Sequence, residues 1–230
     1  AGETVRILVN SRADEKLARA YLSKAGAQLK RVEFILHPTN RGWTRDTGPI
    51  WITRQSGMRR EKSIVHFHFN AWAKYPDWQK DRKVPDTAAR VLNKKLFDIH
   101  LDGKPFVLEG GGIEVNGRGT LLTTEECYLD PVTQVRNPGV GREAFDEVLK
   151  QSLGVTNVCW LAAGPVGDDT HGHIDDICRF VNPTTLVLIR ESNPKDINYR
   201  PLNENWERIG GLRLEDGSKP EVIALPMPSP

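Results

Sequence analysis

Apolar residues recur along this chain with two different periods. In Val5-Arg6-Ile7-Leu8-Val9 they alternate with polar ones, which predicts a strand. Leu17, Tyr21 and Leu22, with Ala18 and Ala25, recur every three or four positions and predict a helix from about Asp14. Ser11 with Asp14 resembles a capping box, and Gly26 stops the helix. Residues 29–36 read as a second strand, closing a β-α-β unit. Further on, 50–52 and 64–69 read as strands, and Ala88, Val91, Leu92 and Leu96 predict a helix over 86–96. A strand over 106–109 ends on Glu109 and is followed by three glycines. Residues 113–115 and 120–123 predict a hairpin, because Asn116-Gly117 supplies the positive φ a tight turn needs. Phe145, Val148 and Leu149 mark a helix over 142–153, closed by Gly154. Strands follow at 157–161, 177–181 and 185–189. Leu202, Trp206 and Ile209 mark another helix before Gly210-Gly211, and 222–225 is the last strand. The strand–helix–glycine–strand pattern recurs about four times, at a spacing of roughly fifty to seventy residues, which fits an array, a propeller or an ordinary α/β sheet.

Composition narrows the class. With 230 residues, 38% of them hydrophobic, there is enough chain for one large domain with a real core, or for two small ones. The net charge of +2 gives no reason to invoke nucleic acid or an anionic membrane as a partner. No apolar run approaches a membrane-spanning length, and no signal peptide is read at the start. Cys127, Cys159 and Cys178 form no C-x-x-C pair and are odd in number, which argues for a reducing compartment and small buried side chains.

Two stretches break the apolar pattern. Residues 167–176 pack two histidines and four carboxylates into ten positions. They run into the apolar segment 177–181; if that segment is a strand, the alternation puts His171, His173 and Asp175 on one face with Ile177, while Ile174, Asp176 and Cys178 point the other way. Such a trio can move protons, hold a cation or ligate a metal; the bland alternative is a solvated acidic turn. Residues 41–49 form a Gly- and Pro-rich loop carrying Trp43, two arginines and Asp46. The glycines at 110–112 let a ligand approach the backbone, but no phosphate-loop pattern is present.

Taken together, Trp43-Thr44-Arg45-Asp46-Thr47-Gly48-Pro49, Leu108-Glu109-Gly110-Gly111-Gly112 with Leu121 to Cys127, and Gly167 through Asp176 resemble the agmatine deiminase and bacterial Porphyromonas-type peptidylarginine deiminase family. Arg136-Asn137-Pro138-Gly139 and Asn198-Tyr199-Arg200-Pro201-Leu202 also fit. The resemblance implies an α/β, pentein-type propeller of five blades, with residues 1–230 as one domain. It also implies that the propeller is incomplete here, lacking its start and a C-terminal segment that carries the cysteine nucleophile. None of Cys127, Cys159 and Cys178 matches that nucleophile. The implied activity is metal-free and cofactor-free hydrolysis of a guanidinium to a ureido group plus ammonia. Agmatine, giving N-carbamoylputrescine for polyamine biosynthesis, is the expected substrate, with peptidylarginine the alternative. The implied setting is cytoplasmic, and a homo-oligomer is compatible with it. By the same resemblance, His173 transfers protons, Asp46 and Asp175 hold the guanidinium, Glu109 supports His173, Trp43 lies against the guanidinium plane and Asp169 meets the substrate tail.

Residue chemistry agrees with those roles. Two carboxylates in the plane of a guanidinium bind it through paired charged hydrogen bonds. A tryptophan face attracts a cation. Acids around His173 favour imidazolium, which favours a thiolate nearby and protonates departing ammonia. Two readings of other classes compete: a metal-dependent hydrolase using His171, His173 and Asp175, which suit zinc or iron, and a non-catalytic binding remnant. The first leaves 43–49 and 109–112 without a role. The deiminase reading expects Trp43, Asp46, Glu109, His173 and Asp175 to converge on one pocket.

Overall fold

The computed structural model describes residues 3–228. Strand β1 (Val5–Val9) leads through helix α1 (Arg12–Lys24) to β2 (Val32–Leu36), which pairs parallel to it. Ser11 caps α1, its hydroxyl accepting the Asp14 N–H at 3.1 Å. A one-turn helix α2 (Thr44–Thr47) precedes β3 (Ile50–Ser56), which is antiparallel to β4 (Arg59–His66). Helix α3 (Val84–Val91) then returns the chain to β5 (Leu96–Asp98), parallel to β4. A small ribbon of β6 (His100–Leu101) and β7 (Lys104–Pro105) follows. Next come β8 (Glu114–Val115), β9 (Thr120–Thr124), the short helix α4 (Glu125–Leu129), α5 (Arg142–Leu153) and β10 (Asn157–Leu161), with β9 antiparallel to β8 and parallel to β10. The last unit is β11 (Cys178–Asn182), β12 (Thr185–Arg190), α6 (Tyr199–Gly211) and β13 (Glu221–Pro226), with β12 antiparallel to β11 and parallel to β13.

The architecture is therefore α/β with several small sheets. Four of them, among the described residues, contain a parallel pair joined through a helix, because a parallel pair needs a crossover. This is the recurring unit that the apolar periods predict. No helix among the described residues is long and apolar enough to cross a membrane.

Strand β9 separates two cores. It is buried along its whole length, and neighbouring residues face opposite ways. Leu121 packs with Val65, Phe106, Leu108, Phe145 and Leu149. Leu122 packs with Leu161, Ile174, Ile177, Leu186 and Leu202. Glu109 follows directly on one core and His173 precedes the other, so the two packed bodies carry the polar cluster between them.

Several expected boundaries move. Residues 29–31 form a 3₁₀ turn, and the strand begins at Val32. The helix expected over 86–96 runs Val84–Val91, since Asn93 takes a left-handed φ of 49° and Leu96 already belongs to β5. Residues 106–109 form no regular strand: Val107 makes a single bridge with His68, and the Asn137 carboxamide takes its N–H and C=O, both at 2.8 Å. The side chain replaces a strand neighbour there, which no period reveals. The strand expected over 177–181 is β11, but its alternation does not extend back to residue 171. His171 and Gly172 adopt φ of 63° and 86°, and Ile174–Asp176 is a 3₁₀ turn before β11. The alternation that grouped His171 with His173 and Asp175 therefore fails.

Candidate active site

His173 lies at the centre. It is 2% exposed and stands at the start of the 3₁₀ turn. Its Nε2 is 3.6 Å from Glu109 Oε2, and its Nδ1 is 3.8 Å from Asp46 Oδ1 and 3.9 Å from Asp175 Oδ1. Nε2 makes no hydrogen bond among the described residues, so these contacts are electrostatic. Burial would discharge the ring, but Glu109 and then Asp46 outweigh it and hold His173 above the ordinary histidine value.

Glu109 is completely buried. Burial favours its neutral form, but Arg136 and His173 overcome that and keep its carboxyl below the ordinary range. Arg136 reaches Glu109 Oε1 at 3.4 Å, donates to the Gln134 carbonyl at 3.0 Å, and also donates to the Thr170 carbonyl. The backbone N–H of Glu109 donates to Tyr128 Oη at 3.1 Å. A buried carboxylate stays charged only when it is paired in this way.

Asp46 enters from α2. Its Oδ1 accepts the Gly111 N–H at 3.0 Å and its Oδ2 accepts the Trp72 indole N–H at 3.2 Å. Burial pushes it up to about 6, against the pull of His173. The three glycines answer to close packing. A Cβ on Gly111 would overlap His173 Nδ1 and stand 2.8 Å from Asp46 Oδ1. One on Gly110 would overlap the Arg45 carbonyl, and one on Gly112 the Tyr128 hydroxyl.

Asp175 is turned partly outward. Beyond His173 it faces Arg45 Nε at 3.2 Å and Arg179 Nη1 at 3.8 Å, so it already meets two guanidiniums of the chain itself. A cleft of about 510 Å³ adjoins on that side, lined by Arg45, Gly110, Glu114 and Arg179, and holds neither His173 nor Glu109.

Trp43 lies one layer back. Its ring is 4.3 Å from Trp72 and 5.8 Å from Tyr75, and the Arg41 guanidinium covers it at 4.9 Å. The aromatic next to the cluster is Trp72, 6.3 Å from the His173 ring and nearly perpendicular to it. Residue patterns did not single out Trp72 from the irregular stretch around it. Asp169 is half exposed and binds Lys74 Nζ at 2.5 Å and Tyr75 Oη at 3.0 Å. The bond from Lys74 is the main reason its carboxyl lies below the ordinary value. Asp168, in contrast, accepts from the Thr170 and Gly172 N–H groups at 2.8 and 2.7 Å and organises the turn.

His171 departs from the group: its Nε2 meets Asp130 Oδ2 at 2.9 Å and its Nδ1 lies 3.8 Å from Glu126. Among the described residues the trios of donors within 4.8 Å of one another are Glu109–Cys127–His173 and His66–His68–Asp98, not His171–His173–Asp175. The three cysteines are held as thiols. Burial raises Cys127 well above its ordinary value, Cys159 to about 11 and Cys178 to about 12. A nucleophile needs the thiolate.

A buried, acid-surrounded histidine beside a carboxylate and a tryptophan, carried by repeated β-α-β units, is the arrangement to set against known proteins. The family model for Porphyromonas-type peptidyl-arginine deiminase matches residues 1–230, and the chain belongs to that family. It is similar to the agmatine deiminase of Pseudomonas fluorescens, 34% identical over 214 residues that make up 90% of this chain and 55% of that protein. Among solved structures, the agmatine deiminase of Enterococcus faecalis, described as catalysing its reaction, superposes with a TM-score of 0.83 at 27% identity, covering 98% of this chain and 58% of that one. A C. jejuni agmatine deiminase with substrate bound gives a TM-score of 0.79 at 27% identity, covering 99% and 61%. The chain thus spans little more than half the length of these relatives.

Proposed function

We propose that this chain forms the guanidinium-binding and proton-transfer part of an agmatine deiminase, which converts agmatine and water to N-carbamoylputrescine and ammonia. The observation that carries the reading is His173 enclosed by Asp46, Glu109 and Asp175, three carboxylates from separate parts of the sequence. Asp46 and Asp175 bind the guanidinium, Trp72 and Trp43 back it with aromatic surface, and Glu109 keeps His173 protonated. A thiolate attacks the guanidinium carbon and forms a tetrahedral adduct. His173 gives its proton to the departing nitrogen, ammonia leaves, and an S-alkylthiouronium remains. Water attacks that carbon and gives one proton to His173; the C–S bond then breaks, the remaining hydroxyl proton passes to solvent, and the ureido product and the thiolate are released. Since Cys127, Cys159 and Cys178 are buried or partly buried thiols, we assign the attacking sulfur to a cysteine outside these 230 residues.

Agmatine is favoured over peptidylarginine by Asp169, which already pairs with an amine, Lys74, at the edge of the aromatic cluster. The terminal amine of agmatine suits the same carboxylate. We further propose that the repeated β-α-β units belong to one domain with the five-bladed propeller arrangement the resemblance implies. Three free thiols fit a cytoplasmic enzyme.

The test is ammonia release by the complete protein from agmatine, free arginine and an arginyl peptide. Agmatine should be the preferred substrate. Asp175→Asn should lower kcat/KM by at least about tenfold, since a charged hydrogen bond contributes about 1.5–3 kcal/mol, with the melting temperature nearly unchanged. Equal turnover of wild type and Asp175→Asn would overturn the assigned binding role, and no release from any of the three would overturn the activity.

A further inference from the structure

A second histidine cluster lies outside the His173 group and shares no residue with it. His66 is the last residue of β4, and His68 follows two positions on, so the two rings share a side and lie 4.7 Å apart. Asp98 is the residue of β5 directly opposite His66 in the parallel ladder. Donor atoms of His66, His68 and Asp98 all lie within 4.8 Å of one another.

Their hydrogen bonding is incomplete in a particular way. His66 Nε2 faces the Arg82 carbonyl at 3.0 Å. A carbonyl only accepts, so Nε2 carries the proton and a neutral ring leaves Nδ1 bare. That bare nitrogen faces Asp98 Oδ1 at 3.4 Å and Asp86 Oδ2 at 3.7 Å. Lone pairs set against carboxylate oxygens repel unless a cation or proton stands between them. His68 is 4% exposed, and neither ring nitrogen makes a hydrogen bond among the described residues. Its Nε2 is 2.9 Å from Asp98 Oδ1, yet the geometry is wrong for an N–H to donate. A buried imidazole with two idle nitrogens needs a partner.

We propose that His66, His68 and Asp98 bind a divalent transition-metal ion of the zinc type. Two imidazoles and a carboxylate are a donor set that zinc accepts, with water completing a tetrahedron. The Arg82 carbonyl fixes the His66 tautomer as outer partners of metal-bound histidines do. Asp86 and His100 stand at the edge, the latter with its ring 5.2 Å from His68. A cleft of about 690 Å³ lined by His37, His66, His68, Asp86 and Asp98 gives an ion a path in. The ion would tie the end of β4 to β5 as a structural clamp. It has no place in the chemistry at His173.

The complete protein, stripped with a chelator, is titrated with Zn²⁺ by calorimetry and with Co²⁺ by visible absorption. Wild type should bind one ion per chain and melt at a higher temperature with Zn²⁺ present. Asp98 is half exposed, so Asp98→Asn should keep the metal-free fold and melting temperature while weakening binding by more than about 100-fold, beyond the loss typical for an outer partner. His68→Gln should do the same, and His171→Gln should bind as wild type does. Failure of wild type to bind either ion would overturn the proposal. So would Asp98→Asn, folded by circular dichroism, binding as tightly as wild type.

Discussion

Asp46 is held near neutrality by opposing influences. Burial raises it to about 6, His173 and the Gly111 N–H oppose that rise, and Glu109 and Asp175 reinforce it. A carboxyl whose folded value exceeds its ordinary 3.8 keeps its proton longer in the native state. Its contribution to stability is greatest below 3.8 and is lost as pH rises through about 6, a separation that corresponds to about 3 kcal/mol at most. Glu109 acts in the other direction: its lowered value contributes above 4.5 and is lost as pH falls. Urea melts of wild type and Asp46→Asn between about pH 4 and 7 separate the two. Wild type should lose stability relative to the variant as pH rises across that window, and a constant difference would contradict the buried carboxyl. If Asp46 holds the guanidinium as proposed, kcat/KM of the complete protein for agmatine should rise along an acid limb centred near the same value, because the charged carboxylate is the form that pairs with a cation. Asp46, Glu109, His173 and Asp175 are singled out by the family resemblance, on polar stretches that interrupt the apolar periods, and the fold brings the four side chains together. Trp72 stayed hidden, since an aromatic within a polar excursion looks the same whether it packs on Trp43 or, as here, also holds a carboxylate.

At the scale of elements, the turn that presents Trp72 is strained. Ala71, Trp72 and Ala73 all adopt left-handed φ, 51°, 58° and 53°, a conformation that costs roughly 1–2 kcal/mol for each residue with a Cβ. Asn70 holds the turn, its Oδ1 accepting the Ala73 N–H at 2.9 Å, and Asp46 anchors the indole. Ala73 is exposed, so glycine there removes little packing and relieves one strained residue. Ala73→Gly should stabilise the fold by about 1 kcal/mol, read from the denaturation midpoint at unchanged m-value. A loss of stability would mean that this position prefers another conformation. Regular elements were far more legible than this turn. α5 and β10 have the expected bounds, because Phe145, Val148 and Leu149 recur at helical spacing and Gly154 takes the left-handed φ of 70° that ends the helix. Residues 106–109 and 171–177 misled because backbone groups in and beside them are satisfied by the Asn137 carboxamide and the Asp168 carboxylate rather than by a ladder.

Across the whole molecule, packing is uneven. The units around β9 and β12 bury two large apolar clusters against each other. In the first β-α-β unit, α1 buries no residue at all, and Val5, Leu17, Tyr21 and Leu36 are each about half exposed or more. That unit is held by its parallel ladder of five residue pairs and by links such as the His37 N–H to the Val9 carbonyl. The ring of His37 adds a contact of 2.8 Å with the Thr87 hydroxyl of α3. Its ion pairs, Arg6–Glu33 and Arg12–Glu15–Arg19, involve solvent-exposed arginines, so water screens them and they add little to stability. Buried apolar contact sets how often a segment opens, so opening should start here and leave the His173 cluster intact. Native-state hydrogen exchange tests this directly. Amides of β1, α1 and β2 should exchange with protection far below those of β9 and β10, whose opening requires both cores to separate. Equal protection across all of these strands would mean that the first unit and the two cores open together as one cooperative body.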